Sequence, residues 1–253
     1  MLIGKFFNNI NLKDRNHYFS GLSFNSSSVK KNDIFFAIRG TNINGNKYIK
    51  DAIKNGATTI VSNLNFHGLK KKVLYIKNKD SRKLLSEIAS KFYKKKPKNL
   101  VAVTGTNGKS SIADFYFQIL KLNNKKVASI GTLGVKTHFN NLKINNTTLN
   151  PISLHKHLQK FKKKKIENVI LEASSHGLKQ FRLHGLNFKT GIFTNLSRDH
   201  LDYHKSYKDY LNSKLILFKN LLKKNSNVIT DRSILQYKII ENITKKKKLK
   251  IST

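Results

Sequence analysis

No segment constrains the fold of this chain more than Leu100 to Ser111, which reads Leu-Val-Ala-Val-Thr-Gly-Thr-Asn-Gly-Lys-Ser-Ser. Its apolar start has the pattern of a buried strand, and the glycines break that strand abruptly. Ile112 to Leu120 follow with apolar residues at helical spacing. Strand, glycine turn and helix in this order make a cradle for phosphate. Gly105 and Gly108 let backbone N–H groups approach an anion with no Cβ in the way, and a helix starting near Lys109 aims its positive end at the same point. Lys109 can reach a terminal phosphate, and the Ser110 hydroxyl is placed for Mg²⁺. The phosphate-binding set read here is Thr104, Gly105, Thr106, Asn107, Gly108, Lys109, Ser110 and Ser111.

The general pattern G-x-x-x-x-G-K-[ST] has a glycine where this chain has Val103, so the loop is a variant of that pattern. A glycine pair alone, in a lysine-rich chain, is a common accident. The strand before it, the Gly-Lys-Ser triplet and the helix after it together favour phosphate.

Charge offers a different reading. Fifty Lys and Arg against thirteen Asp and Glu give a formal charge of +37, and clustered basic residues bind nucleic acid without specificity. These lysines are spread along the whole chain. The runs Lys94 to Lys96, Lys162 to Lys165 and Lys245 to Lys248 fall at expected element ends, where solvated charge is the bland explanation. A nucleic-acid or nucleotide binder without catalysis stays open as the far alternative, and a general attraction for anionic substrates follows in any case.

At 253 residues the chain has room for two domains, each with its own core. The absence of cysteine excludes disulfides and thiolate metal sites and suits a reducing compartment. No run approaches the ~18 apolar residues of a membrane span, and Met1 to Ile10 lacks the pattern of a signal peptide. A cytoplasmic location is the expectation.

Residues 1–97 read as a small α/β domain. Ile34 to Ile38, Thr58 to Val61 and Val73 to Ile76 are expected strands, Tyr48 to Asn55 is an expected helix, and Ser81 is the expected cap of a helix from Arg82 to Tyr93. Lys94 to Asn99 is charged and holds one of two prolines, the pattern of a linker, so a second domain is placed at 98–253. There strands at Leu100 to Val103, Val127 to Ile130, Asn168 to Leu171, Thr190 to Phe193 and Asn227 to Thr230 alternate with helices. The helices are expected from the glycine loop to Lys121, from Ser153 to Lys164, from about Ser206, and from about Ser233 to Thr244. A polar loop is expected after Ile130. Such alternation implies a mostly parallel sheet with ligands beyond the carboxyl ends of its strands.

Two further stretches follow strands. In Leu171 to Leu178, Leu-Glu-Ala-Ser-Ser-His-Gly-Leu, Glu172 ends a buried strand, where a carboxylate is costly unless it meets a cation, so Glu172 is a candidate Mg²⁺ partner. Phe193 to His204 reads Phe-Thr-Asn-Leu-Ser-Arg-Asp-His-Leu-Asp-Tyr-His. Scarce carboxylates gather around it: Asp199, Asp202 and Asp209 join Glu172 in one region.

Taken with Thr104 to Ser110, these stretches resemble the Mur ligases in the order they occur, and the MurE branch in particular. The resemblance covers nearly the full chain. It implies a small N-terminal α/β uridine-nucleotide domain followed by a P-loop-type, mostly parallel-sheet ATP-binding domain. By the same resemblance a third domain, for the incoming amino acid, lies beyond this sequence, so the chain alone is expected to bind the UDP substrate and to turn over poorly.

The implied activity is ADP-forming amide ligation through an acyl phosphate. A diamino acid, diaminopimelate or lysine, is added to UDP-N-acetylmuramoyl-L-alanyl-D-glutamate in peptidoglycan precursor synthesis, with ATP and Mg²⁺ as cofactors. The enzyme is expected to act as a monomer, with no specific nucleic acid and no membrane as partner. By resemblance Lys109, Glu172, His200 and Lys214 are catalytic. Ser110, Glu172, His200 and Lys214 hold Mg²⁺, the last as a carbamate, and Asp199 orients or caps. Ser26, Thr41, Thr147, Thr148, Ser174, Gln180 and Arg182 contact the UDP substrate. Asn25-Ser26-Ser27 departs from the family's usual Asp-Ser-Arg, which removes the charged partners of Ser26, so for Ser26 and Thr41 plain turn residues remain the alternative. For Arg182 the alternative is a solvated surface arginine. A folylpolyglutamate-type ligase is the near alternative for the whole chain.

Overall fold

The structure, a computed structural model, describes residues 1–40 and 43–253, so the expectation for Thr41 falls outside the described residues. The chain divides into two compact units, Met1–Phe92 and Tyr93–Thr253. Each is α/β with a mostly parallel sheet.

The first unit contains β1 (Gly21–Ser23), β2 (Asp33–Phe36), α1 (Ile49–Lys54), β3 (Ala57–Ser62), β4 (Gly68–Lys70), β5 (Val73–Lys77) and α2 (Ser81–Phe92). Its strand order is β1-β2-β3-β5-β4, with β4 antiparallel to β5 and the other pairs parallel. Val29, Phe35, Ala52 and Ile60 form a core between α1 and the sheet. Asp80, not Ser81, caps α2. The Lys83 N–H donates to the Asp80 carboxylate at 3.0 Å and the Leu84 N–H to the Asp80 carbonyl at 3.1 Å, while Ser81 is buried inside the first turn.

The second unit runs β6 (Asn99–Thr104), α3 (Lys109–Leu122), β7 (Val127–Gly131), β8 (Gly134–Thr137), β9 (Asn141–Leu142), α4 (Pro151–Lys163), β10 (Asn168–Glu172) and α5 (Ser175–Lys179). It continues through β11 (Phe188–Phe193), α6 (Tyr207–Ile216), β12 (Leu222–Thr230), α7 (Tyr237–Lys247) and β13 (Lys250–Ser252). The strand order is β13-β12-β11-β6-β10-β7-β8-β9, and only the β7–β8 and β8–β9 pairs are antiparallel. Leu100 to Val103 of the central strand β6 are apolar without interruption because both faces are covered. Leu100 and Ala102 join the large core with Leu154, Leu158 and Phe218, while Val101 and Val103 pack on Ala113 of α3.

Three local expectations change. The polar loop after Ile130 contains the β8–β9 hairpin. The last helix starts at Tyr237 rather than near Ser233, because the Asp231 carboxylate captures the N–H and hydroxyl of Ser233, both at 2.8 Å, in a local turn. The closing lysine-rich segment adds β13 as an edge strand beside β12. Among the described residues no helix is long and apolar enough to cross a membrane.

Chain order fixes where a ligand can sit. From β6 the chain moves through α3 to β7, returns to β10, and then crosses to β11 on the other side of β6. That reversal opens a crevice at the carboxyl end of β6. The glycine loop lies there.

Candidate active site

Beyond Thr104 the backbone passes through Gly105 at φ +145° and Gly108 at φ +82°, values that side-chain-bearing residues rarely adopt. A Cβ on Gly105 would stand 1.8 Å from the Thr194 hydroxyl, so glycine is required for space as well as conformation. Residues following β11 brace the loop. The Thr106 N–H donates to the Asn195 carbonyl and the Asn107 N–H to the Asn195 side-chain oxygen, both at 3.0 Å, and Thr194 Oγ1 donates to the Asn107 carbonyl at 2.6 Å. Thr106 Oγ1 also meets the Tyr210 hydroxyl of α6 at 3.2 Å.

With those N–H groups engaged, anion binding falls to the first turn of α3. Its N–H groups, from Lys109 to Ser111, have no acceptor within the helix, and Gly108 at the cap offers no side chain. Lys109 folds over the loop, with Nζ donating to the carbonyls of Gly105 at 3.0 Å and Thr106 at 2.6 Å. Burial lowers its pKa from the ordinary lysine value, partly offset by Glu172 and Asp199.

Glu172 ends β10 with a buried carboxylate. Ser110 Oγ donates to it at 2.9 Å, the Thr132 N–H at 2.8 Å and Thr132 Oγ1 at 3.1 Å. Three donors account for a carboxylate kept out of water. Thr132 in turn meets Thr147 Oγ1 at 3.1 Å. Lys214 projects from α6 into the same place and is 1 % exposed. Its Nζ donates to the Gly105 carbonyl at 2.7 Å and sits 4.4 Å from the centre of the Tyr210 ring. Burial first, and the charge on Lys109 second, push its pKa down to about 7.

His200 has a left-handed backbone at φ +53° and an exposed ring packed edge-on to His176, centroids 5.0 Å apart. Asp199 accepts from the His200 N–H at 2.8 Å. A cavity of about 280 Å³ is lined by Thr106 to Ser111, Thr132, Thr147, Glu172, Ser174, Ser175, His200 and Lys214. Most of the expected catalytic and phosphate residues thus meet in one place. Thr104 is buried at the end of β6, and Gly105 lies behind the cavity wall.

Thr148, Gln180 and Arg182 do not line the cavity. The Thr148 hydroxyl is buried, donating to the Glu172 carbonyl at 2.9 Å and accepting the Ser174 N–H at 3.0 Å. Arg182 donates to the Thr148 carbonyl at 2.7 Å and to Gln180 Oε1 at 2.8 and 3.1 Å. Together they tie α5 to the segment before α4. Ser26 belongs to the first unit, in a short 3₁₀ turn whose cap is the Asn25 side chain.

The donor set can be weighed against Mg²⁺. Among the described residues no three His, Asp or Glu side chains stand close enough to cage a metal. Magnesium bound through substrate phosphates needs no such cage; it takes one or two carboxylates and keeps several waters. The Ser110 hydroxyl beside the Glu172 carboxylate fits that demand. Lys214 as a free amine does not, since it offers no oxygen. Thr132, Thr194, Asn195 and Tyr210 carry the site without having been singled out from sequence; Thr132 follows a strand end and Thr194 and Asn195 sit inside a quoted stretch, the available signal, while Tyr210, inside α6, had none.

Two family descriptions match the chain: "Mur ligase family, catalytic domain" over residues 18–93 and "Mur ligase middle domain" over residues 103–253. A Rickettsia montanensis protein named UDP-N-acetylmuramoyl-L-alanyl-D-glutamate–2,6-diaminopimelate ligase is 41% identical over 249 residues, covering 96% of this chain and 52% of its own length. A Clostridium tetani protein of the same name is 38% identical, covering 82% of this chain and 44% of its own. A solved structure of a ligase with that name superposes with a TM-score of 0.84 at 27% identity, over 99% of this chain and 51% of the other. The chain spans about half the length of the curated relatives it matches. From the glycine loop to the end of the sequence the family pattern is continuous, and this chain belongs to the Mur ligase family.

Proposed function

We propose that this chain supplies the nucleotide site and the UDP-substrate site of an ADP-forming amide ligase. The ligase adds a diamino acid to UDP-N-acetylmuramoyl-L-alanyl-D-glutamate in peptidoglycan precursor synthesis. The observation that carries the reading is the single cavity shared by Lys109, Ser110, Glu172, His200 and Lys214. The names of relatives at 41% and 38% identity favour 2,6-diaminopimelate over lysine as the amine.

In this reading the substrate's D-glutamyl carboxylate attacks the γ-phosphorus of ATP, ADP leaves, and the amine then displaces phosphate from the acyl phosphate. The work of the chain is positional and electrostatic. Lys109 swings from its own loop carbonyls to the terminal phosphate, while the first-turn N–H groups of α3 hold oxygens of the same chain of phosphates. Ser110 and Glu172 would hold one Mg²⁺, and Glu172, His200 and a carbamylated Lys214 a second. When bound, Mg²⁺ neutralises charge on the phosphoryl oxygens. With a pKa near 7, Lys214 holds a substantial neutral fraction at physiological pH, the form whose nitrogen bonds CO₂ with loss of a proton. That addition turns a proton donor into an oxygen ligand. Ser26, Thr41, Thr147, Thr148, Ser174, Gln180 and Arg182 serve the UDP substrate, Thr148 by positioning its neighbours. In this reading the reaction is cytoplasmic.

A melting experiment tests this assignment. UDP-N-acetylmuramoyl-L-alanyl-D-glutamate at about a hundred times its Kd is expected to raise the melting temperature by several degrees, the response to about 2.7 kcal/mol of binding, and a folate none. A response to folate, or to random DNA in place of the UDP substrate, would assign the chain elsewhere.

A further inference from the structure

Helix α5, Ser175–Lys179, is five residues long, too short to hold its own position, yet it ends beside Gln180 and Arg182 and begins beside Ser174. Side chains from the next segment fix it. The His204 ring is 1 % exposed and lies between α5 and α6, Nε2 at 3.0 Å from Ser175 Oγ and Nδ1 at 3.4 Å from Asp209 Oδ2. Ser213 Oγ faces Nδ1 at 3.5 Å but donates its proton to the Asp209 carbonyl at 2.8 Å. Both neighbours therefore present lone pairs to Nδ1, which must carry the ring proton. Nε2 is left as the acceptor for the Ser175 hydroxyl. Burial lowers the pKa of the ring from the usual histidine value, against the opposing pull of Asp209.

Other bridges run beside it. Lys179 pairs with Asp209, and Gln180 Nε2 donates to the Tyr203 hydroxyl at 3.1 Å. The Lys179 and Asp209 side chains are 33% and 30% exposed, so solvent weakens that pair, while the His204 bonds are shielded.

We propose that His204 is a positioning residue: by bridging Ser175 and Asp209 it fixes α5 against α6, and so sets the cavity wall at Ser174 and Ser175 and the place of Gln180 and Arg182 at the other end of α5. The consequence for ligand binding rests on the reading of that wall as the UDP-substrate side. The wall formed by the glycine loop is braced mainly by Thr194 and Asn195, which follow β11, although Tyr210, which meets Thr106, also packs against the His204 ring with centroids 5.1 Å apart.

Hydrogen exchange and calorimetry on the same variants test this. In His204→Ala the amides of Leu178 and Gln180 are expected to exchange at least about tenfold faster, with those of Val169 to Leu171 unchanged. Affinity for the UDP-dipeptide is expected to fall about tenfold and that for a non-hydrolysable ATP analogue by less than about twofold. His204→Gln, which retains a polar atom toward Ser175, is expected to recover most of both losses. Ser175→Ala breaks the same bond from the other end and is the variant to use if His204→Ala does not fold. Unchanged exchange in α5, equal weakening of both ligands, or a glutamine variant no better than alanine overturns the proposal. If the unmutated chain ignores the UDP-dipeptide, the substrate reading fails, and the exchange data alone still decide whether His204 positions α5.

Discussion

Lys109→Ala is expected to lower affinity for a non-hydrolysable ATP analogue at least about a hundredfold, since each charge-assisted hydrogen bond to phosphate is worth about 1.5–3 kcal/mol and this lysine can make two. The fold should hardly notice. Burial already disfavours the ammonium, and the Gly105 carbonyl it contacts keeps Lys214 as a second donor at 2.7 Å. A change in melting temperature within about 3 °C is expected, the response to less than about 1 kcal/mol in a chain of this size. Calorimetric titration and a melting curve on the same preparation separate the two effects. Weak binding together with a large loss of stability would mean that Lys109 is a structural residue whose loss deforms the loop.

Lys214→Met is expected to do the reverse for stability while removing ligase function from any assembly that contains this chain. A lysine ammonium 1 % exposed, with another lysine on the same carbonyl, is held at a cost that an apolar side chain of similar length avoids. Replacing even a paired buried charge by hydrophobic volume is often neutral or stabilising by about 1–4 kcal/mol. The pH dependence has a definite sign. The folded pKa is about 7 against an ordinary 10.5, so the unfolded chain binds the proton more tightly. The penalty is fully present below about pH 7 and fades as pH rises from there toward 10.5. The stability advantage of Lys214→Met should therefore be largest in mildly acidic buffer and shrink in alkaline buffer. An advantage that grows with pH, or a variant less stable than the parent at pH 6, would show that the lysine is not a strained buried amine.

Much of this site was legible because its chemistry sits where strands end. The glycine pair with Lys109 announced the loop, and Glu172 stood out as a carboxylate closing an apolar strand. Lys214 was another matter. It is one of fifty basic residues, and α6 buries Tyr210, Ser213, Lys214 and Leu215 together, so no apolar stripe marks its inward face. Only its spacing within a family pattern singled it out; its burial and its bond to Gly105 needed coordinates. Thr194 and Asn195 lay inside a quoted stretch, yet their bonds to the loop cross about ninety residues of chain, which no local pattern records. The β8–β9 hairpin was hidden because Gly134–Thr137 and Asn141–Leu142 are too short to show alternation. The cap of α2 was misplaced by one residue because Asp80 and Ser81 are both capping types, and burial of Ser81 decided between them.

The central claim is that one pocket holds nucleotide phosphates and a divalent cation between the glycine loop and Glu172. Anomalous diffraction from crystals grown with Mn²⁺ and a non-hydrolysable ATP analogue tests it most directly. The account predicts a manganese peak between Ser110 Oγ and the Glu172 carboxylate, with phosphate density on the first turn of α3 and Lys109 turned toward it. Phosphates bound away from Gly108 and Lys109, or manganese remote from Glu172, would contradict it.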